Sequence, residues 1–129
     1  MNGARPGVFP TLRIRLDLAP GVSIGPGKAE LLRGVAETGS ISAAGRRIGM
    51  SYKRAWQLVD ALNRHFDSPL VSATRGGARG GGAQLTPLGA QVLDMYFALE
   101  GATNASVADS LRQLAARLRV PDAVEPPLV

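Results

Sequence analysis

Cysteine is absent from this chain of 129 residues, and histidine occurs once. Disulfides and thiolate metal sites are therefore excluded, and an imidazole cluster cannot form. Aromatic residues make up 5% of the composition, thin provision for a surface that stacks single-stranded bases. No uninterrupted apolar run approaches the ~18 residues that suggest a membrane span. The opening MNGARPGVFPTLRIRLDL holds no continuous apolar core of signal-peptide length. A cytoplasmic protein without membrane contact is the expectation. Catalytic constellations are missing too: the carboxylates are scattered, and His65 falls near the end of a helix with no nucleophile in register. Neither an enzyme nor a bound cofactor is expected.

What is present is basic charge in one place. The net charge is +5. Residues 40–82 contain Arg46, Arg47, Lys53, Arg54, Arg64, Arg75 and Arg79 against only Asp60 and Asp67, which is the whole chain's excess. A localised cationic surface attracts a polyanion and weakens as salt competes. Apolar residues reach 45%, enough for one folded domain with a modest core.

Hydrophobic periodicity divides the chain. Leu12, Ile14, Leu16 and Leu18 alternate with Arg13, Arg15 and Asp17, the pattern of a half-buried strand. A Pro/Gly loop follows, then a helix over about 28–38 with Leu31, Leu32, Val35 and Ala36 inward and Gly39 as its left-handed end. Ser40 caps a second helix, with Ile41, Ala44 and Ile48 inward and Gly45 at a close crossing; Gly49 ends it. Ser51 caps a third helix to about Phe66, whose Ala55, Leu58, Val59, Leu62 and Phe66 form a core stripe. A hairpin comes next, with strands at 70–75 and 83–85 around a loop at 76–82. Thr86 and Pro87 open a fourth helix lined by Leu88, Val92, Tyr96 and Leu99, which Gly101 should break or bend. A last helix over about 106–119 carries Val107, Leu111, Leu114 and Leu118, and a proline-rich tail closes the chain.

The fold class implied is mainly α with a small β-sheet: a winged helix-turn-helix whose N-terminal strand could join the wing sheet, with C-terminal helices for dimerisation. Its divisions are a flexible 1–11, a winged domain 12–100, a dimerisation helix 101–119 and a disordered tail 120–129. Helix-turn-helix proteins aim the start of the second helix of the motif into the DNA major groove. Here that edge carries Ser51, Tyr52, Lys53, Arg54 and Gln57, with Arg46 before it. Arg or Lys can pair with guanine and Gln with adenine, while the Ser51 end can offer backbone amides to phosphate. Trp56 lies beside the core stripe, so packing against the first or second helix is expected. In the wing, Gly76, Gly77, Gly80, Gly81 and Gly82 allow close backbone approach around Arg79, and Arg75 precedes them. The segment lacks the lysine and hydroxyl of a nucleotide-binding loop. A winged-helix adaptor that never engages DNA is the alternative, and the cationic cluster argues against it.

The run GSISAAGRRIGMSYKRAWQLVDALN, followed by LV and then TRGGARGGGAQLTPLG, resembles the DNA-binding domain of the ModE family of molybdate-responsive regulators. The likeness covers about residues 12–100 and is most specific in the S-Y-K-x-A-W and GG-x-x-GGG-x-x-LT stretches. The motif is more distantly similar to LysR-type regulators. The resemblance implies a homodimer that binds double-stranded DNA at an inverted repeat, controlling molybdate transport or molybdoenzyme genes. Full-length members carry C-terminal molbindin domains. Only about thirty residues follow position 100 and none resembles such a domain, so the expectation is either an effector that acts through a separate partner or constitutive regulation.

Overall fold

The computed structural model describes residues 8–74 and 82–119. Within them the order is β1 (Leu16–Ala19), β2 (Val22–Ile24), α1 (Pro26–Thr38), α2 (Ile41–Arg47), α3 (Tyr52–His65), β3 (Val71–Thr74), β4 (Gly82–Leu85) and α4 (Pro87–Ala115). Residues 1–7, the wing-tip positions Arg75, Gly76, Gly77, Arg79, Gly80 and Gly81, and the tail 120–129 lie outside the described residues. The architecture is the helical one with small antiparallel ladders that the sequence implies.

Helices α1, α2 and α3 form the central unit, closed by small residues at their crossings. A Cβ at Gly34 of α1 would lie 2.7 Å from that of Ala44 on α2. One at Gly45 would lie 3.0 Å from Ala55 on α3, the close approach that a glycine there implies. Gly39 ends α1 at φ 72°, and its N–H returns to the Val35 carbonyl. Leu31, Leu32, Val35, Val59 and Leu62 are all buried beneath these crossings. Each such side chain contributes about 1.5–3 kcal/mol on leaving water. Ile48 does not join them. Helix α2 stops at Arg47, and Ile48 becomes its C-cap, 36% exposed.

The N-terminal strand corrects the expected topology. β1 pairs with β2 and not with the wing: Leu16 faces Ile24 and Asp17 faces Ser23, while β3 and β4 form a separate ladder. Gly21 at φ 76° reverses the chain immediately after β1, and a local hairpin costs less loop entropy than pairing with a distant strand. Register slips between Asp17 and Ala19, so the alternation fails at Leu18, which is exposed.

Upstream of β1 the chain is strapped to α4. Asn104 accepts the Leu12 N–H at 2.7 Å and donates to the Leu12 carbonyl at 2.8 Å. The Thr11 hydroxyl reaches the same Asn104 oxygen, and the Tyr96 hydroxyl donates to the Ile14 carbonyl at 2.7 Å. These bonds satisfy backbone groups that have no ladder partner. Thr11, expected in a flexible lead-in, is therefore held in place.

Helix α4 is one helix of 29 residues, running straight through Gly101, where the sequence predicts a break. A helical glycine costs only about 1 kcal/mol, and buried Phe97 and Glu100 on one side and Asn104 on the other hold the segment helical. Its inward face is Gly89, Leu93, Tyr96, Phe97 and Glu100. The stripe that periodicity predicts is rotated from this, because Leu99 is exposed and Leu93 and Phe97 take the core. Leu114 and Leu118 are 70% and 60% exposed and do not pack on this chain's own core. No helix among the described residues is long and apolar enough to cross a membrane.

Candidate nucleic-acid interface

The start of α3 is presented outward by local chemistry. Gly49, at φ 70°, turns the chain after α2, and the Met50 N–H returns to the Gly45 carbonyl at 2.8 Å. Ser51 then caps α3 by accepting the Arg54 N–H at 3.1 Å. With Ala55, Val59 and Leu62 committed to the core, Lys53, Arg54 and Gln57 are left on the exposed side. Thus the residues expected to contact bases are all solvent-facing.

The wing is tied to this front by backbone bonds. The Ala83 N–H of β4 donates to the Gly39 carbonyl between α1 and α2. Gly82 sits so close that a Cβ would lie 2.5 Å from that carbonyl oxygen, so only glycine fits here. Its N–H donates to the Thr74 hydroxyl at 3.1 Å, which joins the two wing strands beneath the loop. At the strand base, Asn63 accepts from Leu70 and Val71 N–H and donates to the Val71 carbonyl. That anchor links α3 to β3, and no local pattern along the chain signals it.

These attachments enclose an open cleft of about 210 Å³ lined by Ser40, Ile41, Ser42, Tyr52, Trp56, Gly82 and Ala83. The N-terminal end of α2, the outer face of α3 and the base of the wing meet there. Tyr52 and Trp56 stand edge to face with ring centroids 6.2 Å apart. Trp56 is 44% exposed, which corrects its expected packing into the core. Tyr52 and Gly82 are thereby brought to one cleft, Ser51, Lys53, Arg54 and Gln57 are exposed but do not line it, and Arg75 and Arg79, with the remaining wing glycines, fall outside the described residues. Sequence reasoning misses Ser42; its first-turn position on a capped helix is the signal that marks it.

Charge on this front is little neutralised. Arg47 pairs with Glu37 at 2.6 Å and Arg64 with Asp60 at 3.2 Å. Both pairs are exposed and contribute at most about 1 kcal/mol. Arg46, Lys53 and Arg54 have no carboxylate partner among the described residues. Arg46 occupies the last turn of α2, exposed beside the turn into α3. Long cations without partners on an exposed helix start suit phosphate and base-edge contacts.

Residues 28–90 match the family described as bacterial regulatory helix-turn-helix protein, lysR family. The match runs from α1 through the wing strands into the start of α4. The molybdenum-pterin-binding protein MopB of Rhodobacter capsulatus is 46% identical over 80 residues, covering 62% of this chain and 30% of its own length. The molybdenum transport protein ModE of Azotobacter vinelandii is 39% identical over 88 residues, covering 68% of this chain and 33% of its own. Through this region the chain is similar to ModE-type proteins, in agreement with the resemblance carried by the S-Y-K-x-A-W and glycine-rich stretches. It spans about a third of the length of these curated relatives. A solved complex of the CbnR DNA-binding domain with DNA superposes with a TM-score of 0.49 at 23% identity, covering 70% of this chain and 95% of that one.

Proposed function

We propose that this chain is a sequence-specific DNA-binding transcription regulator of ModE type. The observation that carries the reading is the single exposed front on which the start of α3, the Ser40–Ser42 end of α2 and the Gly82 base of the wing converge. Lys53, Arg54 and Gln57 read base edges, each good bidentate pair discriminating by roughly 1–3 kcal/mol. The glycine-rich wing with Arg79 contacts the backbone or an adjacent groove. Ser40, Ser42 and the Tyr52 hydroxyl offer polar groups for one phosphate strand.

A homodimer on an inverted repeat is part of the proposal. Supporting it, α4 leaves Met95, Leu99 and Leu114 exposed, as is Leu118 just after it. A wholly apolar groove of about 130 Å³ opens between Leu16, Leu18, Phe66, Val92, Met95 and Leu99. Two copies paired through this face would set their α3 helices on successive major grooves, about 34 Å apart. The genes controlled concern molybdate transport or molybdenum enzymes, with any effector sensed by a separate partner, and the site of action is the cytoplasm. The link to molybdenum is supported by the names of two relatives, a molybdenum-pterin-binding protein and a molybdenum transport protein.

Genomic fragments selected by the purified chain test the proposal. Recovered sites should share an inverted repeat, and Arg54→Ala or Gln57→Ala should relax base preference at defined positions. Arg79→Ala should weaken binding evenly across sequences. Failure to retain any duplex at about 50 mM salt, where phosphate contacts are strongest, would leave the adaptor reading in its place.

A further inference from the structure

Three cations meet on the side of α3 that faces away from the wing cleft. Tyr52 and Trp56 line the cleft, and Arg54, two residues from each, lies about 200° around the helix. Lys28 stands in the N-terminal turn of α1, within reach of the charge of Arg54. The Lys28 ammonium donates to the Ser23 carbonyl at 2.7 Å, a single bond for a group that carries three donors. The Arg15 side chain packs over the neighbouring Gly25, where a Cβ would lie 3.7 Å from Arg15 Cβ. Arg15 meets Asp17 only through Nε, at 3.0 Å. Its two terminal nitrogens have no partner among the described residues. Partial burial, then the charges of Arg15 and Arg54, hold the Lys28 ammonium below the usual lysine range.

Mutual repulsion of this kind is relieved by an anion placed among the cations. We infer that Arg15 and Lys28, beside the base-reading Arg54, form a second phosphate-binding wall that grips the DNA strand opposite the one met by the wing cleft. The inference stands on the DNA-binding reading proposed for α3 and extends its contact surface to α1 and to Arg15 just before β1, outside the helix-turn-helix. The geometry is that of a reading helix with a backbone contact on each flank. The major groove that would admit α3 is about 12 Å wide, with a phosphate strand along each edge. The cleft side offers hydroxyls and the wing; the far side offers three cationic heads. Such contacts orient the helix without reading sequence.

Salt dependence measures the number of phosphates neutralised. Binding of the whole chain is followed by fluorescence anisotropy on two labelled duplexes, one a genomic fragment it selects and one of mixed sequence. Lys28→Gln and Arg15→Gln should each flatten the plot of log affinity against log salt by about 0.9, the value for one phosphate. The advantage of wild type over each variant should then shrink by about 3.5-fold between about 50 and 200 mM salt, by the same counterion relation. The loss should be equal on both duplexes, leaving sequence preference intact. Arg112→Gln, an exposed cation on α4, should leave the slope unchanged. Circular dichroism of each variant fixes that it is folded. A wild-type slope in both Lys28→Gln and Arg15→Gln overturns this wall while leaving DNA binding in place. Absence of any duplex binding by the wild-type chain overturns both.

Discussion

Replacing Gly89 with alanine sets two physical effects against each other at one atom. Gly89 is the third residue of α4, and its N–H is held by the Thr86 cap at 3.0 Å. A Cβ there would press on the Leu70 carbonyl oxygen, with the carbonyl carbon at 2.9 Å and Leu70 Cα at 3.2 Å. Leu70 has nowhere to retreat. It is fully buried, its carbonyl accepts the Thr86 N–H at 2.9 Å, and its own N–H is held by Asn63 at 2.9 Å. Alanine is favoured over glycine in a helix by at most about 1 kcal/mol. Against this stand the hydrogen bonds disturbed, at about 1 kcal/mol each, and overpacking, at about 1–3 kcal/mol. The net expectation for Gly89→Ala is a loss of about 2–3 kcal/mol, which lowers Tm by roughly 10 °C or more in a domain of this size. Gly27→Ala is the matched comparison, since nothing lies within 4 Å of a Cβ there. It should be neutral or stabilise by up to about 1 kcal/mol. Urea unfolding followed by circular dichroism gives both values. A Gly89→Ala midpoint at or above wild type, with an unchanged dependence on urea, would refute the close-approach account of the α4–β3 junction.

Three further outcomes are expected. The sole tryptophan, Trp56, stands 44% exposed at the cleft, so a bound duplex should shift its emission; an unchanged spectrum at saturating DNA would remove it from the interface. Asn104→Ala should free the Thr11–Leu12 segment at a cost of about 1–3 kcal/mol and accelerate hydrogen exchange at the Leu12 amide; protection equal to wild type would mean that Asn104 is not the clasp. Burial first, then the Glu100 carboxylate, pushes the Tyr96 phenol up to about 12. Because the folded value lies above the unfolded one, this group's contribution to stability is complete below about pH 10 and is lost as pH rises toward 12. Titrating phenolate absorbance in Tyr52→Phe, which leaves Tyr96 as the only tyrosine, would show ordinary ionisation near 10 if the hydroxyl were not enclosed.

Local signals make the motif legible in the amino-acid order. Ser40, Ser51 and Thr86 each cap the helix they precede, and Gly39 and Gly49 adopt the positive φ that ends a helix or turns the chain. Capping and left-handed turns depend on a few adjacent residues, so their chemistry is written in order along the chain. The outward set Lys53, Arg54 and Gln57 follows from periodicity in the same way, once Ala55, Val59 and Leu62 are assigned inward.

Local reading fails where distant residues compete. Trp56 reads as core from its neighbours, yet the α1–α2 and α2–α3 crossings close on alanines and glycines and leave no space for an indole. Gly101 reads as a break, but buried Phe97 and Glu100 before it and the hydrogen-bonded Asn104 after it keep α4 continuous. The strap made by Asn104 joins groups 92 positions apart, and the Arg15–Lys28–Arg54 cluster gathers three separate stretches of the chain. The amino-acid order alone settled the kinds of element, their caps and the polar edge of α3, because those depend on interactions within a turn or two. Which strand paired with β1, how far α4 ran, and which cations shared a surface were decided only by tertiary packing, where burial and hydrogen bonding among remote residues outweigh local preference.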